Sequence, residues 1–365
     1  MRPEAATAQC IGTIASVIVL WSSLHGSAGG ESLQVSDRLL SSMPLRVVES
    51  PTPLGPAEQS ATSVQALVLG RNGVMYAGSF GHGIFRTADR GATWVRVGNG
   101  ITDPFILSLA SAKDGAVYAG TFRGGVFRSR DEGNSWQSVN AGLKRLEVKA
   151  LLAVDQELFA GTGDGVYRLQ GSEDQWTPVT SGLDDILVHA LARASDGTLF
   201  AGTSGKGVFR FSPHSNGWVR MRHGLKDHEG MIENFIRVLV IDQDQSILAG
   251  TFDGGVFRSA DSGLTWKPIS RALPNDSIRG IVFSDQGVVV ATGNGIFRTV
   301  DKGKQWMPIN KGLTNLAVQV LIGSGDKGLY AGTSAGVFRS DDGASWMAIN
   351  EGLEAGMAPP PFLFR

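Results

Sequence analysis

Short apolar runs that alternate with polar residues and end at glycines recur along most of this chain. The stretch Gly254 to Trp266, GGVFRSADSGLTW, is one copy, and close variants of it occur seven times. Alternation with a two-residue period, bounded by glycine, predicts strands and tight turns rather than helices. The pattern therefore predicts an all-β chain assembled from one repeated hairpin.

Seven tryptophans give the period of this repeat. Successive ones are 42, 40, 42, 48, 40 and 40 residues apart: Trp94, Trp136, Trp176, Trp218, Trp266, Trp306 and Trp346. Strand-rich repeats of about 40 to 50 residues are typical of β-propeller blades. The spacing predicts a seven-bladed β-propeller over residues 63–353.

Each repeat contains four apolar segments. An inner segment such as VQAL is followed by one ending in Ala-Gly-Ser/Thr, then by Gly-Val/Ile-Phe/Tyr-Arg, and last by the tryptophan segment. We therefore expect four antiparallel strands per blade, as in propellers generally. A further apolar piece, residues 44–48, is a candidate edge strand, and the sequence leaves open whether it closes the ring.

A polar turn precedes the tryptophan in most repeats, as in TADRGATW, SRDEGNSW and SADSGLTW. An aspartate here accepts hydrogen bonds from turn amides, and the glycine two residues later tolerates positive φ. This pattern resembles the Asp-box, or bacterial neuraminidase repeat. Repeats three and four have lost it but keep the tryptophan. We expect the Asp-box turns, and the arginine that recurs in all seven Gly-Val-Phe-Arg segments, to be structural.

The two ends of the chain differ in composition from the repeats. Residues 1–28 contain an apolar run, CIGTIASVIVLW, that predicts a signal peptide or an uncleaved N-terminal anchor, and thus an extracytoplasmic location. Residues 29–62 are interpreted as a linker, and residues 354–365 as a proline-rich tail. The single cysteine, Cys10, lies in the leader, so no disulfide is expected in the exported chain.

Charge and composition limit the partners. The formal net charge is −1, which gives no general attraction to nucleic acid. Contact with a membrane is expected only through an uncleaved leader. No motif indicates a cofactor. The partner expected is a protein or an acidic glycan or other anionic ligand, of unknown identity.

The loops between the second and third strands carry the first set of candidate binding residues. Loops on a rigid scaffold usually carry binding, and these loops vary in chemistry while the frame stays constant. The candidates are Phe122, Arg123, Asp164, Lys206, Phe252 and Asp253, with Phe80, His82 and Asn294 beside them. The alternative for the phenylalanines is that they pack under the loops.

The second residue of each inner strand gives a second set. Around the ring it is Gln65, Leu107, Lys149, His189, Arg237, Arg279 and Gln319. If this position lies near the channel mouth, blades three to six place Lys149, His189, Arg237 and Arg279 on one arc. Clustered cations favour an anionic ligand or an acidic segment of a partner. The alternative is a solvated polar lining of a wide pore.

An insertion before blade five supplies a third set. It contains His223, Asp227, His228 and Glu229, which are capable of metal binding or acid–base chemistry. No second cluster of ligands accompanies it, so we predict no metal and interpret the insertion as a solvated loop.

The Asp-box resemblance implies a propeller and leaves the activity open, since sialidases, xyloglucanase-like glycosidases, photosystem II assembly factors and sortilin-type receptors share such repeats. Sialidases carry an Arg-Ile-Pro motif and a tyrosine nucleophile; this chain lacks the motif, and all four tyrosines occupy repeat positions. Xyloglucanase-like enzymes use two catalytic aspartates, whereas Asp164 and Asp253 stand two blades apart. We predict a non-enzymatic binding or assembly platform, with a divergent glycosidase acting on glycans as the alternative.

Overall fold

A computed structural model describes residues 62–170, 174–212, 217–221, 223–225, 235–274, 277–324 and 328–353. In this part of the chain 28 strands form seven four-stranded antiparallel sheets, and the one helical element is a short 3-10 turn, Arg71–Gly73. No helix among the described residues is long and apolar enough to cross a membrane. The predicted seven-bladed propeller with four strands per blade is confirmed.

Blades one to four take their strands from consecutive segments. Blade one has β1 (Val64–Leu69), β2 (Met75–Ser79), β3 (Ile84–Thr87) and β4 (Val95–Val97). Blade two has β5 (Ile106–Ser111), β6 (Val117–Thr121), β7 (Val126–Ser129) and β8 (Gln137–Ser138). Blade three has β9 (Val148–Val154), β10 (Glu157–Thr162), β11 (Gly165–Gln170) and β12 (Trp176–Pro178). Blade four has β13 (Val188–Arg193), β14 (Leu199–Thr203), β15 (Gly207–Phe211) and β16 (Val219–Met221).

Blades five to seven repeat this order. Blade five has β17 (Ile236–Ile241), β18 (Ile247–Thr251), β19 (Val256–Ser259) and β20 (Lys267–Pro268). Blade six has β21 (Ile278–Ser284), β22 (Gly287–Thr292), β23 (Gly295–Thr299) and β24 (Met307–Pro308). Blade seven has β25 (Val318–Gly323), β26 (Leu329–Thr333), β27 (Gly336–Ser340) and β28 (Met347–Ala348).

The ring closes between complete blades. Each inner strand contacts the inner strand of the next blade, and β25 contacts β1 in the same way. At this junction the hydroxyl of Thr62 donates to the carbonyl of Leu353 at 2.5 Å, and the backbone amide of Trp94 donates to Glu351 at 2.8 Å. Every described sheet is made of four consecutive strands. The candidate edge strand at residues 44–48, the leader, most of the linker and the tail lie outside the described residues.

The core lies between neighbouring blades, where the tryptophan of one blade packs against the strands of the preceding blade. Trp176, for example, is 1% exposed and clusters with Val139 and Val148. Its indole N–H donates to the Val139 carbonyl of the preceding blade at 2.6 Å. Four further tryptophans donate in the same way across a blade junction: Trp94, Trp218, Trp306 and Trp346. The tryptophans therefore join blades as well as filling space.

The turns before the tryptophans, which resemble the Asp-box and are called Asp-box turns below, are stabilised by local hydrogen bonds. Asp131 accepts from the hydroxyl of Ser129 at 2.8 Å and from the amide and hydroxyl of Ser135 at 2.9 and 2.6 Å. Glu132 and Gly133 both adopt positive φ. These bonds lower the pKa of Asp131 to about 2, the Ser135 hydroxyl contributing most. The repeated arginines also have partners: Arg86 donates to the Glu132 carbonyl of the next turn, and Arg128 pairs with Asp174.

Each inner strand has an irregularity that the sequence pattern does not reveal. In blade six the cross-strand partners are Ile278 with Thr292 and then Gly280 with Ala291, so Arg279 is an extra, unpaired residue. The same register shift occurs at the second residue of the other six inner strands. Such a β-bulge bends the strand and re-aims a side chain. All seven candidate channel residues therefore occupy bulges.

Candidate functional site

The antiparallel order of the strands fixes two faces of the ring. The loops between second and third strands share one face with the connections between blades and with the first residues of the inner strands. We call this the loop face. The turns between third and fourth strands lie on the opposite face, which we call the Asp-box face after the motif that these turns resemble. The candidate binding residues predicted from the sequence fall on the loop face.

Four bulge residues, three cations and a histidine, form a continuous arc. Lys149, His189, Arg237 and Arg279 come from blades three to six, and all four are half-buried. The charges of Lys149 and Arg237 both act on His189, and the charge of Arg279 acts on Arg237. The structure thus brings together the four residues that the sequence placed on one arc.

His189 is held neutral at the middle of the arc. Burial, followed by the charges of Lys149 and Arg237, lowers its pKa to about 3. Its ring lies 4.4 Å from the ring of Phe235, and its Nε2 is buried without a hydrogen bond to any described residue. Lys149 forms an ion pair with Glu147, whose carboxylate lies 2.9 Å from Lys149 Nζ. Among the described residues, this is the ion pair found for the arc.

Arg237 and Arg279 are less well satisfied. Burial and the neighbouring Arg279 charge lower the pKa of Arg237 to about 9, and burial lowers the pKa of Arg279. Arg237 Nη1 and Arg279 Nε are buried and make no hydrogen bond within the described part of the chain. Arg279 Nη1 donates to Gln319 Oε1 of blade seven at 2.5 Å, which fixes its guanidinium. Buried donors without acceptors cost free energy, so this pair is poised to bind an anion.

Two phenylalanines of blade five form a wall beside the arc. The guanidinium carbon of Arg237 lies 5.3 Å from the ring centre of Phe252, within the range of a cation–π contact. Phe252 lies 5.6 Å from Phe235, which in turn contacts His189. Phe252 was predicted from its loop, but Phe235 was missed. The sequence does distinguish it, because it directly precedes the inner strand, at a position where most blades have a smaller or polar residue.

A second aromatic group lies at blades one and two. Phe80 makes an edge contact with Phe105, with ring centres 4.8 Å apart. The Arg123 guanidinium lies 5.8 Å from Phe105 and 5.7 Å from Phe122, and Lys149 Nζ lies 5.7 Å from Phe122. Phe122 and Arg123 therefore adjoin the arc at Lys149. Phe105, like Phe235, precedes an inner strand and was not predicted.

Asp103 organises this second group and was also missed by sequence reasoning. It is 7% exposed, and its carboxylate accepts from the backbone amides of Arg123 at 2.5 Å and Gly124 at 3.0 Å. These bonds fix the loop that carries Phe122 and Arg123. The role of Asp103 is to position the loop.

The remaining loop candidates do not join the arc. Asp164 accepts hydrogen bonds from the hydroxyls of Thr162 and Tyr167, both at 2.8 Å, and both partners belong to its own blade. Lys206 and Asp253 are exposed, and no contact with the arc is found for them within the described ranges. Asn294 is exposed as well, and His82 is half-buried, with its amide on Ser79.

The insertion before blade five lies mostly outside the described residues. Of the four residues singled out there, His223 is described, and its carbonyl accepts from the Trp266 amide at 2.8 Å. Across the residues that the structure describes, no group of three or more His, Cys, Asp or Glu side chains is arranged to hold a metal ion.

A groove of about 450 Å³ opens at the junction of blades three and four. It is lined by Pro178, Val179, Thr180, Ser181, Asp184 and Phe211. Its acid, Asp184, already accepts from Thr180 and from the amide of Gly182. The groove includes no residue of the arc, and the unsatisfied donors of the loop face are the stronger indication of a binding site.

Comparisons with known proteins agree with the fold. The family pattern described as the DUF6242 beta propeller domain matches residues 50–294. No curated protein matches the chain. The extracellular domain of BT4673 from B. thetaiotaomicron, assigned to a hybrid two-component system, has a TM-score of 0.66 at 19% identity. That match covers 79% of this chain and 39% of the BT4673 chain.

Two further solved structures share the fold. The GH74 enzyme of Niastella koreensis has a TM-score of 0.65 at 15% identity, over 80% of this chain and 55% of its own. YCF48 from Cyanidioschyzon merolae has a TM-score of 0.58 at 16% identity, over 76% of this chain and 94% of its own. A structure of YCF48 bound to D1 peptide has a TM-score of 0.62 at 15% identity, over 77% and 93%. At these identities the similarity establishes the propeller fold alone.

Proposed function

This chain belongs to the DUF6242 β-propeller family, and we propose that it is a non-enzymatic binding or assembly platform whose loop face holds an acidic segment of a partner protein or another anionic ligand. The observation that carries the proposal is the unsatisfied pair Arg237 and Arg279. Both are half-buried cations with one buried donor that has no hydrogen-bond partner, and neither pairs with a carboxylate among the described residues. An anion that accepts hydrogen bonds from these donors removes the free-energy cost of leaving them unpaired in the free protein.

The extent of the surface favours an extended ligand. Contacts run from Phe80 through Phe105, Arg123 and Phe122 to Lys149, and on through the arc to Gln319. This succession crosses all seven blades of the loop face. A segment of a macromolecule covers such a band more completely than a small ion does. A neighbour of the same fold, YCF48, has been solved bound to a peptide.

The alternative is a divergent glycosidase, and it is supported by the fold similarity to a GH74 enzyme. Glycoside hydrolysis requires two carboxylates at a fixed separation. On the described loop face Asp103 accepts two backbone amides, Glu147 pairs with Lys149, and Asp164 accepts two hydroxyls. A nucleophilic role for Tyr167 is opposed by its burial and by Asp164, which together raise its pKa to about 12. These observations support binding over hydrolysis.

We further propose an extracytoplasmic location. The apolar leader supports it, and so does the fold similarity to extracellular domains of B. thetaiotaomicron proteins. An anchored form with an uncleaved leader is the alternative. Secretion of a tagged chain, and the N-terminal sequence of the secreted product, test both.

The binding experiment uses residues 29–365 on an array of acidic and neutral peptides and glycans, with a parallel hydrolysis assay. The test variant is Arg237→Ala plus Arg279→Ala. The matched control is Lys267→Ala plus Lys304→Ala, which removes two exposed cations away from the loop face. We expect acidic ligands to bind the wild type and the control, and to bind the test variant at least about tenfold more weakly, the value of one lost charged hydrogen bond.

Two outcomes contradict the proposal. Turnover of any glycan identifies an enzyme. Equal binding by the wild type and the test variant places the ligand elsewhere on the ring.

A further inference from the structure

Three groups with unused hydrogen-bonding capacity converge at blades four to six. Arg237 Nη1, Arg279 Nε and His189 Nε2 are buried and have no partner among the described residues. They occupy the bulge of three consecutive inner strands, so equivalent positions of neighbouring blades bring them together at the loop face. Two cations and a histidine grouped in this way favour one compact anionic group as the ligand.

The aromatic wall restricts what the anion is attached to. Phe235 and Phe252 lie 5.6 Å apart, and each contacts a member of the converging group: Phe235 contacts His189, and Phe252 contacts Arg237. Phe252 is 38% exposed, so part of its ring is available to a ligand. An apolar substituent on the anion covers this ring and excludes water from the ion pair, which strengthens it.

Gln319 makes the pocket asymmetric. Its Oε1 accepts from Arg279 Nη1, and its own Nε2 contacts the Ala317 carbonyl at 3.5 Å, which orients the amide. Gln319 therefore occupies the Nη1 side of the Arg279 guanidinium, and Nε is the donor left without a described partner. A planar carboxylate accepts hydrogen bonds from two guanidinium groups at once.

We infer that blades four to six hold a site for a carboxylate carried on an apolar group, with the carboxylate between Arg237 and Arg279 and the apolar group on Phe235 and Phe252. The inference rests on the proposed function and names the chemistry of its anchor point. The carboxylate is supplied either by a peptide or by a small organic acid. Both sources present the same group to the site.

Binding of a carboxylate is also expected to change the protonation state of His189. The charged groups that face it are Lys149 from β9 and Arg237 from β17, and Glu147 faces Lys149. Both cations disfavour a proton on His189, and a bound anion offsets them. Proton uptake on binding in mildly acidic solution is therefore expected. A ligand that binds at another place leaves this uptake at zero.

The probes are phenylacetate, acetate, phenylacetamide and benzenesulfonate, measured by calorimetry on the residue 29–365 chain at pH 5.5 in buffers of different ionisation enthalpy. We expect phenylacetate to bind about three- to tenfold more tightly than acetate because of the aromatic contact. Phenylacetamide, which lacks the charge, is expected to bind at least about tenfold more weakly than phenylacetate. Binding of phenylacetate is expected to be accompanied by proton uptake. Tighter binding of benzenesulfonate than of phenylacetate overturns the assignment of a carboxylate.

Variants separate the two parts of the site. Arg279→Gln is expected to weaken phenylacetate by about 10- to 100-fold, and Lys267→Gln, an exposed cation, to leave it unchanged. Phe252→Ala is expected to abolish the advantage of phenylacetate over acetate while acetate binding stays constant. His189→Gln is expected to abolish proton uptake.

Two results overturn the inference. The first is equal binding of phenylacetate and phenylacetamide, and the second is binding of phenylacetate that Arg279→Gln does not weaken. A peptide or glycan that still requires Arg237 and Arg279 then leaves the platform proposal in place. The absence of any ligand dependent on these arginines removes the platform proposal itself. An acidic peptide of the array that competes with phenylacetate supports a peptide as the source of the carboxylate, and phenylacetate binding that no acidic peptide of the array displaces supports a small acid.

Discussion

The charged side chains on the two faces of the ring differ in how fully they are hydrogen-bonded. On the Asp-box face, Asp131 is bonded to two serines of its own turn, and Arg128 pairs with Asp174. On the loop face, Arg237 and Arg279 have buried donors without described acceptors. The first arrangement recurs from blade to blade, whereas the second occurs in particular blades. Two repeated arginines of the frame, Arg168 and Arg298, also have a buried Nε without a described partner, but Arg168 pairs with Glu157 and Arg298 donates to Gln286. The repeated charges stabilise the frame, and the unrepeated charges of the arc are the candidates for binding a ligand.

This difference also shows in the ionisation of the two faces. Hydrogen bonds to the charged form lower the pKa of the Asp-box carboxylates, which favours the folded state. On the loop face burial lowers the pKa of Arg237 and His189, which disfavours their charged forms. The charges of the frame thus stabilise the folded state, while the charges of the arc destabilise it. Changes to each face are expected to affect stability in opposite directions.

The largest expected effect is on the frame. Trp176→Ala removes a side chain that is 1% exposed and donates to Val139 across a blade junction. We expect a loss of about 3 to 5 kcal/mol in the free energy of unfolding, as for other large core truncations. Denaturant unfolding measures it, and Trp176→Phe, which keeps most of the volume, is the control. A loss below about 1 kcal/mol would show that the blade junction tolerates a cavity.

The next effect concerns pH. The pKa of His189 is about 3 in the folded chain, against an ordinary value of 6.5, so between these values the unfolded chain binds more protons. Stability therefore falls as the pH falls through this window, by about 2 kcal/mol from pH 6.5 to pH 4.5.

Denaturant melts of the wild type and His189→Gln at both pH values measure this contribution. The variant is expected to lose the dependence, because a glutamine does not titrate. The Asp-box carboxylates titrate at lower pH, so they add little to this window. Parallel pH profiles for the two proteins would be inconsistent with a neutral His189.

A smaller effect is expected at a single Asp-box turn. Asp131→Ala removes three hydrogen bonds from an exposed turn, two of them to Ser135. We expect a loss of about 1 kcal/mol, similar to the loss of a helix cap, and no change in ligand binding. The control is Asp253→Ala, on an exposed aspartate of the loop face. Reduced binding by Asp131→Ala would contradict the division of roles between the faces.

The smallest effect has the opposite sign. Arg237→Met replaces a buried cation with an apolar side chain of similar length, and we expect the free protein to gain about 1 kcal/mol. Burial and the neighbouring Arg279 charge lower the pKa of Arg237, which reflects the cost of keeping the guanidinium charged at this position. Denaturant unfolding of the wild type and Arg237→Met at neutral pH measures the gain. A variant that is less stable than the wild type at neutral pH would indicate that Arg237 has a partner in the free protein.

The frame could be predicted from the sequence because it repeats. Seven tryptophans at a steady spacing give the number of blades, and the segment before each one gives the strand order. The order of the arc followed from the same repeat, because equivalent positions in successive blades become neighbours in the ring. Lys149, His189, Arg237 and Arg279 were therefore placed together correctly.

The local details of the site do not repeat, and sequence reasoning missed them. Phe105 and Phe235 stand before the inner strands of two blades only, and their contacts depend on how the loops fold over the ring. Asp164 looks like a free loop carboxylate in the sequence, but Tyr167 three residues later donates to it. The bulges are a matter of register, and an unbroken apolar and polar pattern does not show where a register shifts.

The bulge in each inner strand has a consequence for how such a ring diversifies. Its second residue has no cross-strand partner, so exchanging that side chain leaves the ladder of the blade intact. Glutamine, leucine, lysine, histidine and arginine already occupy it in this one chain. The ring thus offers seven equivalent positions at which a side chain can be exchanged without changing the backbone pairing, and related propellers can acquire new specificities there one substitution at a time.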